Sequence, residues 1–370
     1  MKTDAVIIGN PENRRTAFFC EAAAKLLNGT ITIVPYIDLL THINTILPGI
    51  TPGSIVKIDS PGENTAVRKL LIERGLGAAA DEPYEKGPII HLQAWYKGYC
   101  GLLDRIRQQL PDTAHVMNTV QDIKLMFDKP ACQQHLYNNK VPVPRILPPV
   151  DNYDELVLVM QQQRIMRVFV KPAHASSASG VVAFRRNGRQ VQAVSSAALH
   201  HTPDGPRLYN SLKVQTYNRE TDIAALMNII LSENAQVEEW LPKAIIHDRY
   251  FDIRVLAIAG KARHMVLRTS KQVITNLHLG NKRGNMQDLI AIFGAQKLTE
   301  IQQLAEQTAA CFPNSLYMGI DILLTNTANV FVLEVNAFGD LLPGLVHNDE
   351  NCYEASLSAA LQQKEARAIC

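Results

Sequence analysis

The chain has 370 residues, 46% of them hydrophobic and 19% charged, with a formal net charge of +2. That length calls for two or three domains rather than one small core. The near-neutral balance with no basic block excludes a dedicated nucleic-acid binder, and no apolar run reaches the length of a membrane span.

The N-terminus, MKTDAVIIGN, carries too short an apolar run for a signal peptide. DAVIIGN reads as a strand, TAFFCEAAAKLL as a helix, and TITIVPYIDLL and SIVKIDS as further strands. In SPGENTAVRKLLIERG, Ser60 stands where a helix cap belongs, with Pro61 near the first position and Glu63 three residues beyond the serine. Strands alternating with helices predict a parallel sheet covered on both faces, over residues 1–118. From residue 119 the pattern changes. QDIKLMFDKPACQQHLYNNK predicts a helix ending at the extended VPVP segment, because Pro142 and Pro144 disfavour helix before them. A helix, DELVLVMQQQ, then precedes the strands RVFVKPA and GVVAFRR, giving a small α+β unit over 119–235. A third unit, 236–370, holds the strands YFDIRVLAIAG and ARHMVLRTS, a helix, and a final hairpin.

That hairpin carries acids inside apolar strands. In VFVLEVNAFGD, Glu334 and Asn336 share one face while Phe331, Leu333 and Val335 share the other. If Asn326–Asn329 form a four-residue loop, Thr325 pairs with Val330 and Asp321 falls opposite Glu334. Three oxygen-bearing side chains on one face suit Mg²⁺, which takes one or two carboxylates plus phosphate oxygens and water. A polar hairpin face turned to solvent is the alternative. Lys171 ends a strand whose Val168 and Val170 point away from it, and HASSASG follows directly. A lysine beside a loop of small residues can hold phosphates, although a surface lysine reads the same way.

Lys129, then Lys171 with its loop, then VEEWL, then the acid hairpin make an ordered series that resembles the ATP-grasp superfamily. Within it the resemblance is to RimK-like glutamate ligases and, more distantly, D-alanine–D-alanine ligase. It runs from about Lys124 to Gly344. It implies an ATP-grasp fold of class α/β and α+β, with an N-terminal parallel α/β domain and the nucleotide between two α+β subdomains. Lys129 and Lys171 would contact ATP phosphates; Glu239, Trp240 and Leu241 would hold adenine and ribose; Asp252 would reach the nucleotide. Arg268 would face the transferred phosphate and the oxyanion, and Asn276, in ITNLHLGN, would be the other catalytic residue. Asp321, Glu334 and Asn336 match the family's magnesium ligands, for two Mg²⁺ ions that Mn²⁺ could replace. Two departures stand out: Ile274 occupies the place of a phosphate-binding arginine, and the loop after Lys171 is rich in Ser and Ala where the family favours glycine.

The resemblance implies an ATP-dependent ligase that joins a small-molecule or peptide carboxylate to an amine through an acyl phosphate, releasing ADP and phosphate. No covalent nucleophile signature competes with it. A kinase using the same nucleotide site, or a nucleotide-binding regulatory protein, are the alternatives. GNPENRR and DSPGEN, each between a strand and a helix, sit where open α/β folds bind ligands. Asn10, Arg14, Arg15 and Ser60 are therefore substrate candidates, with helix capping and solvation as the other reading. Trp95, Tyr96 and Tyr99 read as core packing, and His174 and His278 as loop residues. Six scattered cysteines, with neither CxxC nor CxxH, suit a reducing cytoplasm. The terminal Cys370 reads as inert. A homodimer is compatible with all of this.

Overall fold

The computed structural model describes residues 2–42, 47, 50–62, 64–80, 87–339 and 344–369. Glu63, Asp340 and Cys370 lie outside them. Three main sheets organise the chain. The first is parallel, in the spatial order Ile31–Pro35, Ala5–Gly9, Ile55–Ile58, His115–Val116. Its central strand is wholly buried, as a run of Ala, Val and Ile covered on both faces must be. Helices Thr65–Leu76 and Leu92–Gln109 cross one face so closely that a side chain at Gly98 would strike the Leu71 carbonyl at 1.9 Å.

The second sheet is antiparallel, in the order Gly205–Tyr217, Gln190–Thr202, Val182–Asn187, Arg167–Pro172, Ala235–Glu239. It has its own core, in which Val168, Val170 and Phe184 meet Leu156 and Ile223 from helices Tyr153–Gln162 and Glu220–Ser232. The third sheet is also antiparallel and runs Lys282–Arg283, Lys261–Ser270, Arg249–Ile258, Tyr317–Leu324, Val330–Asn336. Its core is continuous with that of the first sheet, through residues such as Val6, Trp95, Phe127, Ile253 and Ile320. The second sheet is thus packed as a separate body over a base formed by the other two.

Several expectations need correction. Only Ile31–Pro35 is strand; Tyr36–Thr41 is helix, started after Pro35 with the Tyr36 hydroxyl bonded to the Asp59 carbonyl at 2.5 Å. Ser60 caps no helix. Asn64 caps Thr65–Leu76 by accepting from the Val67 amide at 2.8 Å, and Asn13 caps Arg14–Leu26 in the same way. The helix expected before VPVP is two, Val120–Phe127 and Lys129–Asn138, broken where Asp128 caps the second. The single helix expected before the final hairpin is also two, Met286–Phe293 and Ala295–Ala310, parted by Gly294 at φ +83.

The final hairpin pairs Asp321 with Glu334, but by a different route. Leu324, not Thr325, pairs with Val330 across a Thr325–Asn329 loop, and an extra residue, Leu333, is bulged from the strand and restores the register. The bulge sends Val332 and Val335 into the core and leaves Leu333 beside Glu334 instead of opposite to it.

Candidate functional site

A cleft of about 810 Å³ separates the second and third sheets. Lys129, the first residue of its helix, enters from the base. Its ammonium donates to the Ala175 carbonyl and lies 3.5 Å from Glu334. Lys171 enters from the second sheet, with Nζ 2.5 Å from the buried Glu238 carboxylate. Val168 and Val170 point the other way, as alternation requires. Glu239 and Leu241 line the same end of the cleft. Trp240 does not line it. Its ring packs on Phe169, centroids 5.4 Å apart, and Phe169 is the aromatic face the cleft presents.

The third sheet contributes a ladder of buried charges. Asp252 lies opposite Arg268 on adjacent strands, with Arg268 Nε donating to Oδ1 at 2.6 Å. Arg254 lies opposite Asp321 and donates to it through two nitrogens, one at 2.9 Å. Arg268 reaches the same Asp321 at 2.9 Å. Burial opposes the charge on Asp321 and on Arg268. The two arginines nonetheless hold Asp321 well below the usual carboxylate range, and Asp252 with Asp321 pushes Arg268 above its ordinary value. Asp252 is further bound by Lys243, 3.3 Å away, and by the Thr275 hydroxyl.

The sequence reading assigns no role to Lys243, Arg254 or Thr275, and includes Glu238 only as one of the two acids of VEEWL. The visible signal was the alternation Asp252–Arg254 in FDIRV, which puts opposite charges two residues apart on one face. Lys243 is buried among these groups and also donates to Thr275 Oγ1 at 2.6 Å. Burial lowers its pKa, against the pull of Asp252. Ile274 is buried in the cleft wall where an arginine was expected, so Lys243 is a further cation at that end. Asn276 also lines the cleft, and its backbone carbonyl accepts from the Asn281 amide at 2.8 Å.

Among the described residues no group of three or more His, Cys, Asp or Glu side chains is arranged to hold a metal. Asp321 and Glu334 line the cleft, while Asn336, at the end of the strand that carries Glu334, does not; the donor set is two carboxylates and this nearby amide. Glu334 is 32% exposed at the side chain and turned to the cleft. Asn336 spends its amide nitrogen on the Gly319 carbonyl at 3.4 Å, which leaves its oxygen as the acceptor. Asp321 shares its oxygens with two arginines, but a carboxylate has about four lone-pair sites. This chemistry fits Mg²⁺ arriving with phosphate oxygens and water.

The loop after Lys171 forms the roof. Ser177 and Ala178 are held at φ 56 and 59, a left-handed backbone that suits glycine. Hydrogen bonds from Ser195 and Ser196 to the Val181 and Ala178 carbonyls tie the loop to its own sheet. Beneath it a second cavity of about 1230 Å³ runs toward the first sheet and shares Ala175, Ala178 and Ser179 with the cleft.

None of the four substrate candidates lines either cavity. Asn10 binds the Pro61 and Gly62 carbonyls at 3.1 and 3.2 Å and so staples the two loops together. Arg14 is exposed, Arg15 lies 3.9 Å from Asp59, and Ser60 Oγ accepts from the Gly62 amide. Trp95 and Tyr99 are buried as expected, whereas Tyr96 stacks on His174.

The sequence profile of the YheC/D-like ATP-grasp family matches residues 119–358, which hold every element of the cleft. The chain belongs to that family. Over 125 residues it is 30% identical to coenzyme γ-F420-2:α-L-glutamate ligase of Methanococcus maripaludis, a match spanning 34% of this chain and 40% of that relative. Solved ATP-grasp structures share the fold along nearly the whole chain. The ATP-grasp ligase PsnB has a TM-score of 0.54 at 15% identity, over 98% of this chain and 99% of its own. D-alanine–D-alanine ligase of Bacillus anthracis has 0.53 at 12%, over 99% and 100%. D-cycloserine synthetase DcsG has 0.55 at 11%, over 98% and 99%. The ATP-grasp architecture is therefore that of the entire chain, N-terminal parallel domain included. Among the described residues no helix is long and apolar enough to cross a membrane.

Proposed function

We propose that this ATP-grasp protein is an ATP-dependent carboxylate–amine ligase that works through an acyl phosphate. The observation that carries the reading is the convergence of Lys129, Lys171 and Arg268 with Asp321 and Glu334 in one cleft that continues into a second cavity. ATP would lie with its base near Phe169, Glu239 and Leu241 and its phosphates toward the two lysines, which act as fixed positive charges. Asp321, Glu334 and Asn336 would hold Mg²⁺, which when bound neutralises phosphate charge. The acid's carboxylate oxygen attacks the γ-phosphorus, the bond to ADP breaks, and an acyl phosphate results. The amine then attacks the acyl carbon, phosphate leaves, and the amine's surplus proton passes to solvent. Arg268 is bound by Asp252 and Asp321 through Nε and one terminal nitrogen. A guanidinium has five N–H donors, so others remain to meet the developing oxyanion. On the division into units 1–118, 119–235 and 236–370, the second cavity would lie mainly between the first two, with Leu279 of the third at its wall, and the metal and oxyanion groups would belong to the third.

The test is product analysis. Incubation with ATP, Mg²⁺ and a panel of acids, with hydroxylamine in place of the amine, should release ADP and trap a hydroxamate. Release of AMP and pyrophosphate would overturn the mechanism, and a stable phosphorylated product without hydroxamate would make the protein a kinase. Lys171→Ala should weaken ATP binding at least tenfold, since a charge-assisted contact is worth about 1.5–3 kcal/mol.

A further inference from the structure

The second cavity differs in chemistry from the cleft. The cleft balances lysines and arginines against carboxylates. The cavity beneath the roof loop is lined by serines, Asn64, Asn210 and Thr65, with Trp95, Phe127 and Leu92 as its apolar wall. Among the described residues its titratable side chains are Arg68 and His174, and no carboxylate lines it. His174 is committed, stacked on Tyr96 and 3.3 Å from Asp128. Arg68 is not. It is partly buried in the first turn of helix Thr65–Leu76, and its side chain's one hydrogen bond among the described residues is a long one, 3.3 Å, from a terminal nitrogen to the Ile90 carbonyl. It makes no ion pair among the described residues.

An arginine with unspent donors, beside a helix N-terminus and in a cavity whose described lining holds no acid, creates a positive field with no counter-charge among the described residues. We infer that the second cavity takes the acid substrate rather than the amine, and that Arg68 binds a second anionic group on that acid, remote from the reacting carboxylate. This rests on the ligase reading. Among the described residues an ammonium group would find no carboxylate lining this cavity to accept its protons, whereas an anion finds a guanidinium fork and a wall of hydroxyl donors. Because the cavity meets the cleft at Ala175, Ala178 and Ser179, an acid anchored at Arg68 can extend its other carboxylate under the roof loop toward the phosphates. The substrate class that follows is a dicarboxylic acid, or a monocarboxylic acid bearing another anionic group, with an uncharged middle that tolerates contact with Trp95. Arg68 thereby takes the specificity role that GNPENRR suggested for Arg14 or Arg15.

The experiment is equilibrium binding to the full chain loaded with ADP and Mg²⁺, followed by calorimetry, so that turnover is not required. The probes are glutarate, N-acetyl-L-glutamate and homophthalate, each beside its monoamide. At least one diacid should bind the wild type about tenfold or more tighter than its monoamide, the value of one charge-assisted contact. Arg68→Gln should bring acid and amide to equal affinity, Arg68→Lys should retain part of the preference, and ADP affinity should be unchanged in both. Equal binding of acid and amide by the wild type, failure of all three diacids to bind, or a preference that survives Arg68→Gln would each overturn the inference. A preference abolished by Arg15→Ala and not by Arg68→Gln would return the role to Arg15. Failure of the wild type to bind ADP at all would instead sink the ligase reading itself, which keeps the two apart.

Discussion

His174 lies flat on Tyr96, with ring centroids 3.8 Å apart and planes within 8° of parallel. This contact fastens the roof loop to helix Leu92–Gln109 of the first domain. The same imidazole reaches Asp128, the cap of the helix that begins with Lys129. One side chain therefore touches the first domain, belongs to the roof loop and reaches the cap of the helix that begins with Lys129. We expect His174→Ala to weaken ATP binding several-fold, and His174→Phe, which keeps the stacking but not the Asp128 contact, to recover part of it. Calorimetric titration would show this. Identical affinities in all three proteins would mean that the stack merely fills space.

The roof loop has a second peculiarity with a measurable consequence. A left-handed backbone costs an L-residue about 1–2 kcal/mol, whereas glycine costs about 0.5–1 kcal/mol in chain entropy. At Ala178 these partly cancel, so Ala178→Gly should leave stability unchanged or raise it by no more than about 1.5 kcal/mol in denaturant unfolding, the difference of the two effects. Gly180 is different. It sits at φ +68, and a Cβ there would come within 2.9 Å of the Pro172 ring. Gly180→Ala should therefore be the more destabilising of the two, and the reverse order would refute the strain assigned to this loop.

The fold was legible where alternation and order carry information. The parallel sheet, the two lysines and the facing of Asp321 and Glu334 all follow from local pattern. The register shows how such a reading can succeed for the wrong reason: a loop one residue longer than expected and a bulge at Leu333 offset each other. What stayed hidden depends on contacts distant in sequence. Lys243 looks like a surface lysine until Asp252 and Thr275 close around it, and Arg68 looks like an ordinary exposed helix residue until the roof loop covers the cavity beside it. Caps were misplaced because Ser60 and Asn64 both suit that role and only backbone geometry chooses between them.

The two acids of the hairpin should separate when replaced. Asp321 is buried against two buried arginines, so Asp321→Asn breaks a dry charge cluster and should cost about 3–5 kcal/mol of stability. Glu334 is about a third exposed and faces Lys129 across 3.5 Å. Its replacement by Ala should change stability by no more than about 1 kcal/mol, the range of exposed pairs, while abolishing turnover. Unfolding curves for the two variants decide the matter. Equal stability losses would mean that Asp321 is no more structural than Glu334.

Lys57 and Asp59 form a further buried pair outside the cleft, with Nζ and Oδ1 3.1 Å apart and both side chains almost wholly enclosed. Lys57 is on the inner strand Ile55–Ile58 of the first sheet and Asp59 follows that strand directly; Lys57 also faces the Phe19 and Tyr317 rings at 6.0 and 5.6 Å. Burial lowers the Lys57 pKa, against the pull of Asp59. The sign follows from that direction. Between the lowered folded value and the unfolded value of about 10.4, the unfolded chain binds more protons, so this lysine makes stability rise with pH there. Lys57→Met should remove that rise, and the stability of wild type relative to the variant should grow as pH climbs toward 10. At neutral pH the same variant leaves Asp59 buried with Arg15 as its nearest cation at 3.9 Å, and should lose about 3–5 kcal/mol. Adding Asp59→Asn removes the stranded charge and should restore most of the loss, since a buried pair replaced as a unit is often neutral. Thermal unfolding of wild type, single and double variants at pH 7 and 9.5 tests both statements. A double variant no more stable than Lys57→Met, or a gap that shrinks as pH rises, would show that the pair's charges are not what shapes this part of the fold.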